Sequence, residues 1–165
     1  MSETTKKPSE TLVEITLNDK KISAPEGSTI LDACKQADID APTLCWAENL
    51  TPVNVCRVCV VEVEGSRALV PSCSRPIEEG MVISTDSERV NTSRRMVLEL
   101  LASSVELDRA DKEILEWITY YGSDPARMGN SSEIKTSNQP VKIQDDLYVR
   151  DYERCILCYK CVEAC

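Results

Sequence analysis

The stretch CWAENLTPVNVCRVCVVEVEGSRALVPSC, Cys45 to Cys73, decides how this chain is read. Its cysteines follow the spacing Cys45-x10-Cys56-x2-Cys59-x13-Cys73. Cys56 and Cys59 form a tight bite, Cys45 opens the same loop, and Cys73 returns from a distant turn after an intervening hairpin. Four thiolates gathered in this way suit a sulfide-bridged pair of irons, each held tetrahedrally by sulfur, and no other residue type on offer is soft enough. The spacing predicts a [2Fe-2S] cluster on Cys45, Cys56, Cys59 and Cys73. Its loading should be coupled to folding, because the ligands come from separate turns.

Other uses of these cysteines fit less well. Four thiolates can hold structural zinc, but zinc ribbons favour two CxxC knuckles and this stretch has one. The nine cysteines are an odd count with no hydrophobic leader in the first ten residues, which argues against a disulfide framework. A thioredoxin-like pair at Cys56 and Cys59 requires a helix starting at the motif, yet Val58 to Val63 is a β-branched run that reads as strand.

Composition narrows the chemistry further. The chain has 165 residues, is 42% hydrophobic and carries a formal charge of −9, enough for one domain of about a hundred residues plus an appendage. It contains no histidine. That removes Ser-His-Asp and Cys-His nucleophilic sites, Rieske centres and mixed Cys and His zinc fingers, so no catalytic residue is assigned. The acidic balance argues against nucleic acid as a partner and suits solubility or steering toward a basic redox partner. No apolar run reaches the ~18 residues of a membrane span. Free cysteines at this density point to a reducing, cytoplasmic location.

Working outward, residues 1–10 read as a flexible tail. Leu12 to Leu17 alternates with strand period, Asn18-Asp19 is a turn and Lys20 to Ala24 its hairpin partner. Pro25 to Ser28 turns into a helix over Thr29 to Ala37, capped by Ser28 or Thr29, with Ile30, Leu31, Ala33 and Cys34 facing inward. Cys34 is read as a small buried hydrophobe. Pro52 and Asn54 supply turn chemistry in the cysteine loop, where backbone amides can point at sulfur. Arg57 reads either as a solvated charge or as a cation favouring reduction. Val58 to Glu64, Ala68 to Val70 and Met81 to Thr85 are strands. Thr85-Asp86-Ser87-Glu88 predicts a capping box, Thr85 at N-cap and Glu88 at N3, opening a helix to about Ala102 with Val90, Val97, Leu98 and Leu101 on one stripe. Asp108 to Tyr121 reads as a further helix stopped by Gly122, and 122–140 as a linker. The fold class is α+β.

The runs Cys45-Trp46, Cys56-Arg57-Val58-Cys59-Val60-Val61-Glu62-Val63-Glu64-Gly65, Leu69-Val70-Pro71-Ser72-Cys73 and Glu79-Gly80-Met81-Val82-Ile83 resemble one ferredoxin-like domain. It is the amino-terminal domain shared by the large iron-sulfur subunit of complex I, [FeFe]-hydrogenases and molybdopterin-dependent formate dehydrogenases. The resemblance covers residues 11–102 and implies a β-grasp fold around the [2Fe-2S] cluster. Asn54 stands where that family usually has glycine, and Asn best tolerates the left-handed backbone a glycine would supply. In complex I and many hydrogenases the following helix leads to one His and three Cys that hold a [4Fe-4S] cluster. Residues 103–139 contain neither residue type, which tilts the resemblance toward formate dehydrogenase-like proteins.

A second motif, Cys155-x2-Cys158-x2-Cys161-x3-Cys165, follows Val141 to Ile143 and Leu147 to Val149, two short extended pieces. It is the bacterial ferredoxin run. Cys155, Cys158 and Cys161 would serve a first [4Fe-4S] cube and Cys165 a second, each incomplete, so the expectation is a longer polypeptide or a partner that completes the sites. The domain division expected is thus residues 11–85 for the β-grasp, 86–139 for a helical segment and linker, and 140–165 for the start of a bacterial-type 2[4Fe-4S] ferredoxin domain. The function expected is single-electron relay between the clusters. The resemblance implies a parent oxidoreductase with a molybdopterin catalytic domain and a flavin- and NAD-binding partner subunit, formate dehydrogenase-like or NADH dehydrogenase-like. The alternative is a non-redox subunit holding structural zinc.

Overall fold

Alternating burial along β1 (Leu12–Leu17) puts Val13, Ile15 and Leu17 inside and Leu12 and Glu14 outside, as a strand with one solvated face requires. It pairs antiparallel with β2 (Lys20–Pro25) from Leu12↔Pro25 to Leu17↔Lys20. The turn residues Asn18 and Asp19 have φ of +48° and +65°, the left-handed pair of a two-residue hairpin. The computed structural model describes residues 11–105, 107, 110, 112–128, 141–143, 149–152 and 155–165; the tail expected over residues 1–10 lies outside them.

The remaining strands of the main sheet are β3 (Val60–Val63), β4 (Val70–Pro71) and β5 (Val82–Ser84), in the order β2-β1-β5-β3-β4. β1 runs parallel to β5, with Thr16 opposite Val82, and the other pairs are antiparallel, so the sheet is mixed. Helix α1 (Ile30–Gln36) covers one face: its Ile30, Ala33 and Cys34 pack with Ile15, Leu17, Val61 and Ile83. Burying an aliphatic side chain of this size contributes about 1.5–3 kcal/mol. Thr29 is the N-cap. Its hydroxyl accepts from Asp32 N–H at 3.1 Å while the Asp32 carboxylate accepts from Thr29 N–H at 2.9 Å, a capping box the sequence reading missed. The next two helix N–H groups, Ile30 and Leu31, donate to the carbonyls of Arg75 and Ser72 at 2.9 and 3.0 Å. The turn that carries Cys73 is therefore tied to the start of α1.

Helix α2 (Glu88–Ala102) begins at a different cap from the one expected. Ser87, not Thr85, is the N-cap, accepting from Val90 N–H at 3.3 Å. Thr85 is engaged elsewhere: its N–H donates to Asn18 Oδ1 at 2.8 Å and its hydroxyl accepts from Asn18 Nδ2 at 2.7 Å. Val90 and Leu98 are buried, as the helical stripe predicted, and so are two charged residues it did not predict, Arg94 and Glu99. Helix α3 (Lys112–Tyr120) starts later than expected; residues 108, 109 and 111 lie outside the described part. Its end is as expected. Gly122 has φ +61°, its N–H donates to Thr119 O, and Ser123 N–H donates to Ile118 O at 2.9 Å, the paired bonds of a Schellman stop.

Part of the expected linker is ordered against α2. Pro125–Met128 forms a short 3-10 helix, the Asp124 N–H donates to buried Glu99 Oε1 at 3.2 Å, and Arg127 Nε lies 3.4 Å from Glu99 Oε2. Farther on, β6 (Lys142–Ile143) and β7 (Val149–Arg150) pair antiparallel, and α4 (Lys160–Glu163) follows. The expected strand residues Leu147 and Tyr148 lie outside the described part. Among the described residues no helix is long and apolar enough to cross a membrane.

Cys34 offers a pH test of the core. Burial pushes its thiol from 9.0 up to about 11, against a smaller pull downward from Arg94. A folded pKa above the unfolded one stabilises the fold below about pH 9 and is lost as pH rises through 11. The apoprotein should therefore unfold at lower urea as pH is raised from 9 to 11, and Cys34→Ala should flatten that dependence; equal slopes would contradict the assignment.

Candidate metal centre

The cysteine loop leaves α1, carries Cys45 and Cys56, and feeds Cys59 into the start of β3, while Cys73 follows β4. Two left-handed residues shape it, Asn54 with φ +62° and Arg57 with φ +58°. The expected tolerance of Asn54 for that backbone is what the structure uses. The peptide Ser72 N–H donates to Cys59 O at 3.2 Å, which ties the two halves of the site together.

All four thiols come together: two close pairs are joined by a direct interaction between Cys56 and Cys59. Cys45 Sγ lies 3.3 Å from Cys56 Sγ, and Cys59 Sγ 3.5 Å from Cys73 Sγ. These separations exceed the ~2.05 Å of a disulfide bond. They approach the roughly 3.8 Å edge between two sulfurs on one tetrahedral metal with ~2.3 Å bonds. All nine cysteines are free. Among the described residues no group of three or more Cys, Asp or Glu closes on a single ion.

The surroundings favour thiolate at some positions and thiol at others. Burial raises Cys45, although the N–H groups of Cys56 and Val55 point at its sulfur. The Cys59 thiol, followed by burial, pushes Cys56 up to about 12 against the N–H groups of Val58, Cys45 and Leu44. At Cys59 the lowering by Cys56 is outweighed by Cys73 and burial, so its pKa is raised. Cys73 is lowered, chiefly by its hydrogen bond from Cys59, and burial only partly opposes this. Metal must therefore displace protons on loading. Sequence reasoning expected backbone amides to point at sulfur in this loop but did not identify which.

Trp46 packs beside the Cys59–Cys73 pair. It is half-buried against Leu31, Cys59 and Cys73, and Lys35 Nζ lies 3.7 Å over its ring, a cation–π contact that fixes its tilt. Arg57 is exposed. Sequence reasoning also missed Arg94, whose Nη2 donates to Val60 O at 3.0 Å and Nη1 to Tyr121 Oη at 2.8 Å. It locks α2 and the residue after α3 onto the first residue of β3, next to Cys59. Nothing in a helix of mixed charge marks one arginine as buried.

The second motif is not gathered in the same way. Cys155, Cys161 and Cys165 are exposed and Cys158 half-buried, and among the described residues no hydrogen bond joins these four thiols. Its backbone is nevertheless unusual: Leu157 and Tyr159 have φ of +54° and +63°, at a cost of about 1–2 kcal/mol each for residues with a side chain. A cleft of about 450 Å³ is lined by residues near both motifs, among them Leu44, Cys56 and Leu101 together with Cys155, Ile156 and Cys158.

Residues 10–88 match the family model of the 2Fe-2S iron-sulfur cluster binding domain, and this segment is a domain of that class. Over nine-tenths of its length the chain is similar to subunits of NADH- and NADP-linked oxidoreductases. It is 40% identical over 168 residues to the NADP-reducing hydrogenase subunit HndD of Solidesulfovibrio fructosivorans, covering 93% of this chain and 28% of that protein. With the mitochondrial NADH-ubiquinone oxidoreductase 78 kDa subunit of Candida albicans it shares 33% over 156 residues, 91% of this chain and 21% of the relative. The crystal structure of an NAD+-reducing [NiFe]-hydrogenase in the H2-reduced state superposes with TM-score 0.73 at 27% identity, over 92% of this chain and 65% of that one. The chain thus spans less than a third of the two curated relatives named here.

Proposed function

We propose that this chain is an electron-transfer module in which Cys45 and Cys56 hold one iron of a [2Fe-2S] cluster and Cys59 and Cys73 the other. The observation that carries the reading is the two sulfur pairs, at 3.3 and 3.5 Å, inside a domain of the 2Fe-2S class. When bound, such a cluster carries one electron by cycling one iron between ferric and ferrous, with no bond made or broken. The chain's own residues bury it, aim N–H groups at its ligand sulfurs and pack Trp46 beside it. No side chain is asked to do bond chemistry.

The β-grasp domain is taken as residues 11–85, with 86–139 as a helical connector and 140–165 as a ferredoxin-type [4Fe-4S] segment. Cys155, Cys158 and Cys161 are read as ligands of one cube and Cys165 as a ligand of another. Support comes from the motif spacing, from the left-handed Leu157 and Tyr159, and from the cleft that Cys155 and Cys158 line together with Cys56. Strained backbone of that kind is commonest at functional sites. The catalytic partner is an NAD(P)-linked oxidoreductase; the lack of His and Cys over 103–139 favours a formate dehydrogenase-type parent. The test is anaerobic purification with iron and sulfide assays. A visible absorbance that bleaches with dithionite, with equimolar iron and sulfide, supports the module; a colourless zinc protein contradicts it.

A further inference from the structure

Asn54 does more than a left-handed turn requires. Glycine would meet the φ of +62° at no steric cost, so the side chain is additional chemistry. One end of its amide lies 3.2 Å from Cys73 Sγ and 2.7 Å from Ser74 Oγ. In the protonated site the Cys73 S–H donates to that end, which is oxygen. A sulfur bound to iron has no proton to donate, and a carbonyl oxygen at this distance would repel it.

Turning the amide by half a revolution about Cβ–Cγ exchanges oxygen for NH2 in nearly the same volume. Two N–H bonds then face two acceptors, Cys73 Sγ and Ser74 Oγ. We propose that Asn54 is a positioning residue for the reduction potential: its amide N–H donates to the ligand sulfur of Cys73 and favours the reduced centre. The inference rests on the [2Fe-2S] reading above. Reduction adds a negative charge that spreads onto the ligand sulfurs, and a charge-assisted hydrogen bond stabilises the more negative state more strongly. Ser74 acts through Asn54 by holding the end of its amide beside the sulfur.

The experiment is a spectroscopic redox titration of the whole chain, cluster-loaded, for wild type, Asn54→Gly and Asn54→Asp. Asn54→Gly keeps the backbone and removes the donor; Asn54→Asp keeps the shape and replaces the donor by an acceptor. At a fixed mediator potential the reduced-to-oxidised ratio should fall about tenfold in Asn54→Gly, a shift of ~59 mV for one electron, and at least as far in Asn54→Asp. Ser74→Ala should move it less than either. Unchanged ratios in both Asn54 variants, with full iron and sulfide content, would overturn the role of Asn54 and leave the cluster reading standing. A wild-type chain that takes up no iron-sulfur cluster would overturn both.

Discussion

Cys59→Ala is expected to lose the [2Fe-2S] absorbance together with that cluster's iron and sulfide, and its β-grasp domain to unfold at the urea concentration of the apoprotein. Cys59 is 2% exposed and pairs with Cys73, so its loss leaves three thiols and one iron without its second sulfur. Binding free energy in a site built from separate turns is folding free energy, and all of it is forfeited together. Cys34→Ala is the control. Cys34 is equally buried but lies in the sheet core with Ile15 and Val61, not in the site, so that variant should keep its full spectrum. A coloured Cys59→Ala protein with unchanged iron would contradict the ligand assignment.

The second large effect is expected at Arg94. Arg94→Met removes both hydrogen bonds of a side chain only 2% exposed, and strands the Val60 carbonyl and the Tyr121 hydroxyl. Each unsatisfied buried group costs about 1–3 kcal/mol, and breaking a buried charged network reaches about 3–5 kcal/mol. A loss of roughly 3 kcal/mol, or about 6–12 °C in melting temperature for a chain of this size, is the expected result. Because Val60 follows Cys59, the cluster should also be released faster from this variant on dilution into chelator. Arg94→Lys, which can reach only one of the two acceptors, should fall between. Melting within about 2 °C of wild type, well below the shift expected for unsatisfied buried groups, would show that the hydrogen bonds are replaced by water.

What could be read from the sequence was local or carried by cysteine. The Asn18-Asp19 hairpin, the inner face of α1 and the left-handed Asn54 follow from residue type and spacing within a few positions, and the four-sulfur site from cysteine spacing over residues 45–73. The cap of α2 was misread because its decisive partner is 67 residues away: Asn18 takes both polar groups of Thr85, and Ser87 inherits the cap. Arg94 and Glu99 look like solvated charges until β3, Tyr121, Asp124 and Arg127 are brought beside them. Asn54 was legible as a backbone choice but not as a side chain aimed at Cys73, since that contact joins two loops. The second motif has the opposite character: its spacing predicts ligands, while three of its four cysteines, Cys155, Cys161 and Cys165, are exposed.

Iron anomalous scattering from a crystal of the anaerobically purified chain tests the central assignment most directly. Two iron positions are predicted, one bonded to Cys45 and Cys56 and the other to Cys59 and Cys73. A single metal ion shared by all four sulfurs, or four sulfurs with no iron between them, would contradict it.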